Sequence, residues 1–244
     1  MWQRQWLSGD VLQRQIEYWR TELAGLPPLL TLPTDRPRPA QQSFNGSNYS
    51  VFLADDLKQK LLIWSHGQGL SLYMTLLAAF ALLLSRYSGQ DDLAIGSPIA
   101  NRNHKETEGM IGFFVNTLGM RCRTSSGLTF AQLAQQVKES ALNAYANQDI
   151  PFEQLIEELN PERRLNHSPL FQVMFALQNV PYESRSVSDL TFSPFNTAGE
   201  EAETTGVSRF DMWLSMTEVA EGMIGNMEYN TDLFDRSTIA QMLA

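Results

Sequence analysis

The sequence has almost no cysteine: Cys122 is the only one in 244 residues. An internal disulfide is therefore excluded, and so is a metal site built from paired cysteines. Basic residues are also few, with 18 Lys and Arg against 27 Asp and Glu and a formal charge of −9. Because binding to a phosphate backbone needs clustered cations, this acidic balance argues against a nucleic-acid partner.

The chain also lacks an apolar run long enough to cross a membrane. The longest run, residues 70–84, is interrupted by Ser71, Tyr73 and Thr75 and is shorter than the about 20 apolar residues of a membrane span, so it predicts a buried helix. The N-terminus has neither the apolar core nor the cleavage site of a signal peptide. We therefore expect a cytoplasmic protein with no membrane partner, cut at its start from a longer chain.

Hydrophobic periodicity predicts a mixed α/β fold, an α+β sandwich in which helices pack on at least one face of a mixed sheet. A proline-rich connector crosses residues 27–39, and residues 182–206 predict an irregular loop. Strands are predicted at 47–53, 93–95, 114–123, 171–178, 210–217 and 222–229, the last two as an antiparallel hairpin. Helices are predicted at 10–23, 55–66, 71–87, 129–147, 151–159 and from 236 onward, with Leu133, Val137 and Leu142 of the fourth facing inward.

The usual catalytic signatures are missing. The sequence has no G-x-S-x-G elbow, P-loop or G-x-G-x-x-G, which argues against hydrolase nucleophiles and phosphate-binding loops. The histidines are His66, His104 and His167, and none has the spacing of a metal site. We interpret each as a surface or turn residue, with a metal ligand or general base as the alternative, because a base must be strictly placed.

Two other features could indicate catalytic residues but have simpler structural interpretations. Cys122 lies between Arg121 and Arg123, and flanking cations would activate a thiol. Strand alternation, however, points Cys122 away from the arginines and into the core. Glu153 and Glu157 lie one helical turn apart, but nothing apolar encloses them, and exposed helix faces are commonly acidic.

Three segments follow one another in the order and spacing of a known set of signatures. Residues 111–121 read IGFFVNTLGMR, residues 147–156 read NQDIPFEQLI, and residues 163–179 contain SPLFQVMFALQN. They resemble the I-G-x-F-V-N-T-x-x-x-R, H/N-Q-D-x-P-F-E-x-L-V and following signatures of nonribosomal peptide synthetase condensation domains. Residues 32–39 (LPTDRPRP) and 98–102 (PIANR) match the flanking elements. The resemblance covers essentially all 244 residues.

The resemblance also shows what the sequence lacks. Condensation domains carry an H-H-x-x-x-D-G motif upstream of the region that resembles this chain, and the sequence has no adjacent histidines. The family has two lobes of chloramphenicol acetyltransferase-like topology that form a V around a tunnel. The resemblance therefore implies that residues 1–244 are the C-terminal lobe, with a helix and proline-rich lead-in at 1–46 and an α/β lobe at 47–244.

By the same resemblance, no catalytic residue and no metal site are expected in this half, but three residues would line the active site. Arg102 is similar to the arginine that pairs with the aspartate of the missing motif, and without that aspartate we expect it to be exposed and mobile. Asn179 resembles a position near the reaction centre, and Asn116 lies in the first signature. The alternatives are a surface arginine for Arg102, a strand-end cap for Asn179 and core packing for Asn116.

The function implied is amide-bond formation between a carrier-tethered acyl or peptidyl donor and an aminoacyl acceptor, so the chain would be part of an acyltransferase of secondary metabolite biosynthesis. Both substrates would arrive on 4′-phosphopantetheine arms of partner carrier proteins, with no cofactor bound directly. Further partners would be the upstream half and an adjacent adenylation domain, because the sequence has no G-G-x-S carrier site. Whether the chain alone is an enzyme stays open; we expect it to be inactive because the histidine motif is missing.

The alternative is a non-catalytic module that binds carrier proteins or has a structural role. Epimerisation and heterocyclisation domains share the fold, but the three signatures look closer to ordinary condensation domains. If the upstream lobe is absent, the face that meets it should be partly apolar and exposed. Self-association through that face is a further hypothesis.

Overall fold

The helices and strands of the chain are arranged around one six-stranded mixed sheet. The computed structural model describes residues 6–103, 105–161, 164–178, 185–187, 190–192 and 206–244. The helices are α1 (Gly9–Glu22), α2 (Asp55–Gly67), α3 (Leu72–Ser88), α4 (Lys105–Glu108), α5 (Phe130–Ala146), α6 (Phe152–Leu159) and α7 (Arg236–Leu243). The strands are β1 (Gly46–Ala54), β2 (Asp92–Ile99), β3 (Asn116–Arg123), β4 (Val173–Gln178), β5 (Arg185–Val187), β6 (Leu190–Phe192), β7 (Met212–Val219) and β8 (Gly222–Asn230).

The sheet has parallel strands at its centre and antiparallel strands at its edges. Its order is β1-β8-β7-β4-β2-β3, and β5 pairs only with β6 in a separate two-stranded sheet. β4 is parallel to both β2 and β7, whereas β3 is antiparallel to β2 and β8 is antiparallel to β7 and β1. The carboxyl ends of β2 and β4 therefore lie at the same edge of the sheet.

One face of the sheet, which we call the helix face, supports the main hydrophobic core. α3 is the central helix of this core, and its Leu77, Ala78, Ala81 and Leu84 are completely buried. Ser71 begins α3 by accepting a hydrogen bond from the backbone of Met74, as expected for an N-cap. α2, α5 and α7 add further apolar residues to the same cluster. This arrangement confirms the predicted mixed α/β fold with packed helices.

The opposite face, which we call the polar face, carries a smaller apolar cluster. Ala94, Phe171 and Met174 are buried there, and Phe152, Phe210 and Trp213 are among the partly buried residues that pack against them. β7 and β8 alternate between the two faces: Met212, Leu214, Met216, Met223 and Met227 belong to the core on the helix face. Trp213, Ser215, Asn226 and Glu228 therefore point to the polar face.

Buried polar contacts hold the proline-rich connector against the sheet. The amide of Gln172, in the third signature, binds the backbone of Pro28 and Leu30 at 3.2 and 2.8 Å. Arg38 forms a bidentate ion pair with Asp211, whose side chain is only 2% exposed. Because proline stiffens this segment and these contacts fix both of its ends, the lead-in is part of the folded unit.

The structure corrects three details of the predicted elements. Leu142 of α5 is 50% exposed rather than inward, because Ala141 occupies the buried position beside it. α4 was not predicted, since its four residues carry no hydrophobic period. The β5–β6 hairpin lies within the segment predicted as an irregular loop; the glutamates expected in that loop fall outside the described residues.

No single helix in the described ranges is long and apolar enough to span a membrane, although α2 and α3 pass that test as a pair bent by 104°.

The Arg38–Asp211 pair gives a stability prediction. Arg38→Met leaves the buried Asp211 carboxylate without its cation, so we expect the free energy of unfolding to fall by about 3–5 kcal/mol. Arg36→Met is the matched control, because Arg36 pairs with Asp235 at an exposed position and its loss should cost about 0–1 kcal/mol. Denaturant unfolding of both variants measures the difference; equal losses would contradict the assignment.

Candidate functional site

Two of the three predicted site residues, Arg102 and Asn116, lie at one edge of the sheet. β2 ends at Ile99, which pairs with Asn116, the first residue of the antiparallel β3. Arg102 follows three residues after Ile99, and Gln178 ends the neighbouring parallel strand β4. Ligands of α/β sheets commonly bind outside the carboxyl ends of parallel strands. The topology therefore brings Arg102 and Asn116 to the edge that favours ligand binding.

Arg102 organises the loop that connects β2 to β3. Its guanidinium donates to the backbone carbonyls of Thr107, Met110 and Gly112, the last two at 2.9 and 3.4 Å. It also lies over the Phe114 ring, 4.3 Å from the ring centroid, within the range of a cation–π interaction. The side chain is half-buried rather than exposed as expected, because loop carbonyls occupy its donors.

Asn116 joins the first signature to the second. Its side-chain amide donates to the carbonyls of Gln148 and Ile150 at 2.9 and 2.8 Å, and its oxygen accepts from the backbone N–H of Phe152 at 3.0 Å. Asn116 is buried, and its described side-chain contacts are all with this backbone segment. It therefore holds the NQDIPF segment against the start of β3, which is the packing role that sequence analysis gave as its alternative.

A second clamp on the same segment comes from α1 and was missed by sequence analysis. Gln15 accepts from the backbone N–H groups of Asp149 and Ile150 and donates to the Asp149 carboxylate at 2.8 Å. Trp19 donates from its indole to the carbonyl of Asn147 at 2.8 Å. Gln15 is 5% exposed, and a buried polar residue on an otherwise apolar helix face was the available signal.

The remaining candidates separate into those the structure places and those it does not. Asn179 and His104 lie outside the described residues.

Cys122 is buried in the core as predicted, and burial raises the pKa of its thiol to about 12, which disfavours a nucleophilic thiolate at neutral pH. His167 is buried against the Ser168 carbonyl, and His66 is exposed. Glu153 lies on the exposed face of α6, as expected.

The loop before β3 exposes a cluster of large apolar side chains, which we call the apolar loop (Met110–Val115). Ile111 and Phe113 are 103% and 90% exposed, and Met110 and Val115 about half exposed. Four exposed apolar residues within six positions are far from the scattered single residues of an ordinary surface. This loop, shaped by Arg102, has the properties of a contact surface.

A cavity lies at the other end of β2 and β3. Its volume is about 520 Å³, and its lining includes Asp91, Asp92, Arg121, Arg123 and Glu139. Arg121 and Asp92 form a bidentate ion pair inside it, at 2.7 and 2.5 Å. Across the described ranges, no group of three or more His, Cys, Asp or Glu could hold a metal ion.

Comparison with known proteins supports the signatures. The family model described as "Condensation domain" matches residues 1–244. The chain belongs to the condensation domain family. It is 50% identical over 242 residues to a linear gramicidin synthase of Brevibacillus parabrevis and 48% identical over 238 residues to malpinin synthetase of Mortierella alpina.

Solved condensation domains and their relatives confirm the fold. A four-domain nonribosomal peptide synthetase solved with AMP and glycine matches 98% of the chain with a TM-score of 0.88 at 25% identity. The X-domain from teicoplanin biosynthesis matches 99% of it with a TM-score of 0.86 at 26% identity. The condensation-domain chain spans only 5% and 3% of the two synthetases, 19% of the four-domain protein and 55% of the X-domain chain.

The Asn116 clamp gives a prediction. Asn116→Ala removes three hydrogen bonds and leaves two carbonyls and one N–H without their partner, so we expect a loss of about 2–4 kcal/mol in the free energy of unfolding. Asn103→Ala, an exposed position of the same β2–β3 connection, should stay within about 0.5 kcal/mol of the parent. Thermal and denaturant unfolding measure both. A neutral Asn116→Ala variant would show that the clamp does not stabilise the domain.

Proposed function

We propose that this chain is the C-terminal lobe of a condensation domain that forms a peptide bond between two carrier-bound substrates. The observation that carries the proposal is that two elements of the family pattern, the loop held by Arg102 and the strand start held by Asn116, meet at the carboxyl edge of the central strands. Asn179 follows Gln178, the last residue of β4, in the sequence, and we propose it as a further lining residue. The match of the family model to the whole chain supports this reading.

In this proposal the lobe positions and encloses substrates but lacks the proton acceptor. Attack of an amine on a thioester forms the C–N bond, releases the carrier thiol and requires a group to take the ammonium proton. Positioning and acid–base catalysis each contribute orders of magnitude to such a rate. The described edge presents Arg102, a permanent cation, while the amide of Asn116 is bound to backbone groups, and neither side chain accepts a proton at neutral pH.

The division of the domain is also part of the proposal. Residues 1–46 form the lead-in and residues 47–244 the α/β lobe, while the H-H-x-x-x-D-G motif belongs to a preceding lobe. The solved X-domain chain supports this division, because residues 1–244 span 55% of its length. The carrier proteins, their 4′-phosphopantetheine arms and a neighbouring adenylation domain are partners of the complete synthetase in this proposal. A cytoplasmic location stays a prediction.

The apolar loop supports a specific contact with the preceding lobe. Ile111 and Phe113 leave large apolar surfaces in water, and covering them would be favourable by about 1.5–3 kcal/mol for each side chain. Arg102 fixes the loop backbone through three carbonyls, so the surface is ordered before contact. We therefore assign this loop to the interface between the lobes. In the absence of the preceding lobe, we expect the same loop to mediate self-association.

The decisive experiment is a condensation assay with loaded donor and acceptor carrier proteins. We expect no product from this chain alone and product when the preceding lobe is added, because only that lobe supplies the histidine motif. In the complemented reaction, Arg102→Ala and Asn179→Ala should lower the rate. Product from the chain alone would contradict the requirement for the motif. No product in either case, from a folded chain, would favour a non-catalytic module that binds carrier proteins.

The apolar loop is tested by replacing its two most exposed residues. The double variant Ile111→Ser, Phe113→Ser should weaken association with the preceding lobe by at least about tenfold, because two apolar anchors leave the interface. Leu165→Ser is the control, since Leu165 is also highly exposed but lies in another loop. Light scattering measures both assembly with the preceding lobe and self-association. If the double variant assembles as well as the parent, the apolar loop is not part of the interface between the lobes.

A further inference from the structure

The polar face of β1, β7 and β8 carries a carboxylate and three neighbouring polar groups that have no side-chain partner among the described residues. Glu228 pairs in register with Asn48 on β1 and with Trp213 on β7, and Asn226 lies two residues before it on the same strand. All four side chains point to the polar face, because the alternate residues of these strands belong to the core on the helix face. Directly opposed residues of neighbouring strands have Cβ atoms about 5 Å apart, so Asn48 and Trp213 both lie next to Glu228. Asn226 is the next residue along β8 on the same face, about 7 Å from Glu228.

None of the four side chains finds a polar partner in the part of the chain that the structure describes. The Oδ1 atoms of Asn48 and Asn226 and the indole Nε1 of Trp213 are buried without a hydrogen bond. The side chain of Glu228 is half-buried and forms neither an ion pair nor a hydrogen bond with any described residue. Among the described residues, the Tyr18 hydroxyl and Asn166 Oδ1 are also buried without a hydrogen bond, but each lies on a separate segment, whereas three of these five atoms belong to this one surface. Other buried amides, such as those of Gln15, Asn116 and Gln172, are hydrogen-bonded.

The donor and acceptor pattern of this cluster identifies the missing partner. The Glu228 carboxylate and the side-chain oxygens of Asn48 and Asn226 are hydrogen-bond acceptors at neighbouring positions of this face, and the charge of Glu228 favours a cation as their partner. A primary ammonium is a compact cation with three N–H donors and no acceptor. The face of the Trp213 ring attracts cations, and its indole N–H can donate a hydrogen bond to a carbonyl of the ligand next to the ammonium.

We propose that Glu228, Asn48, Asn226 and Trp213 form a recognition site for an ammonium group of the carrier-bound substrate. This inference rests on the proposed function and names a specificity determinant for it. Glu228 is level with Met174 of β4, two strands away, and Gln178 ends β4 four residues later. These steps place Glu228 about 16 Å from the carboxyl end of β4.

Two sources of the ammonium fit this position. One is the side chain of a basic residue such as ornithine or lysine in the substrate. The other is the free amino terminus of a peptidyl donor, since about five extended residues span about 16 Å. Both present the same chemistry to Glu228, and separate probes distinguish them.

The test is a binding measurement on this protein that needs no condensation. Three probes are pantetheine amides: Nα-acetylornithine, the matched Nα-acetylnorleucine, whose terminal methyl replaces the ammonium, and penta-alanine with a free amino terminus. Titrations followed by NMR give the affinities, and the indole N–H signal of Trp213 reports contact at the cluster. Trp213→Phe assigns that signal.

We expect one or both ammonium probes to bind about tenfold more tightly than the norleucine probe and to shift the Trp213 indole signal. Glu228→Gln should remove this preference. Glu221→Gln, an exposed glutamate in the turn of the same hairpin, should keep it, although it makes the same change in net charge. Preference for the ornithine probe alone would identify a side-chain ammonium, and preference for penta-alanine alone an amino terminus.

Equal affinities for all three probes, a preference that survives in Glu228→Gln, or an unchanged Trp213 signal would overturn the assignment. A protein that prefers ammonium probes but never forms an amide bond would contradict the proposed function and leave this site standing. A complemented domain that condenses substrates without regard to their ammonium groups would contradict the site alone.

Discussion

The close approach of β2 and β4 at Gly96 is the constraint on which the rest of the site depends. Gly96 pairs with Met174, and a Cβ atom at this position would overlap Met174 and the ring of Phe171. Glycine is therefore required sterically, although its backbone angle is ordinary. Phe171 uses the space to pack across the polar face, also against Gly119 of β3. The absence of two side chains thus joins the β2–β3 pair to the remaining strands, and that junction sets Arg102 beside the end of β4.

Much of the fold could be predicted from the sequence, because its elements have strong periods. The helix at 72–88 is apolar nearly all round, and the hairpin at 212–230 alternates between core methionines and polar residues. The failures have local causes. α4 is one turn long and acidic, so no hydrophobic period marks it. The spacing of four from Leu133 to Val137 continues to Ala141, and Leu142 lies about 100° further around α5, so the larger apolar side chain was wrongly preferred to the buried alanine.

The candidate site was less predictable, because a signature does not say whether a residue serves structure or chemistry. Asn116 and Gln172 both lie in signatures, and the side-chain amides of both form hydrogen bonds with backbone atoms of other segments. Gln15 does the same without belonging to any signature. These contacts join positions about 30 to 140 residues apart, which no local pattern reveals. Several residues of the family signatures therefore stabilise contacts between segments that are far apart in the sequence.

In the proposed function, Arg102 serves both purposes. Its guanidinium already donates to loop carbonyls and lies over an aromatic ring, so a partner carboxylate must bind beside these contacts. Arginine has five donors in a planar fork, and the contacts to Thr107, Met110 and Gly112 use only two of its nitrogens. The third nitrogen can bind a carboxylate without dismantling the loop. An arginine shared in this way would couple the shape of the apolar loop, and therefore the contact between lobes, to the geometry of the active-site motif.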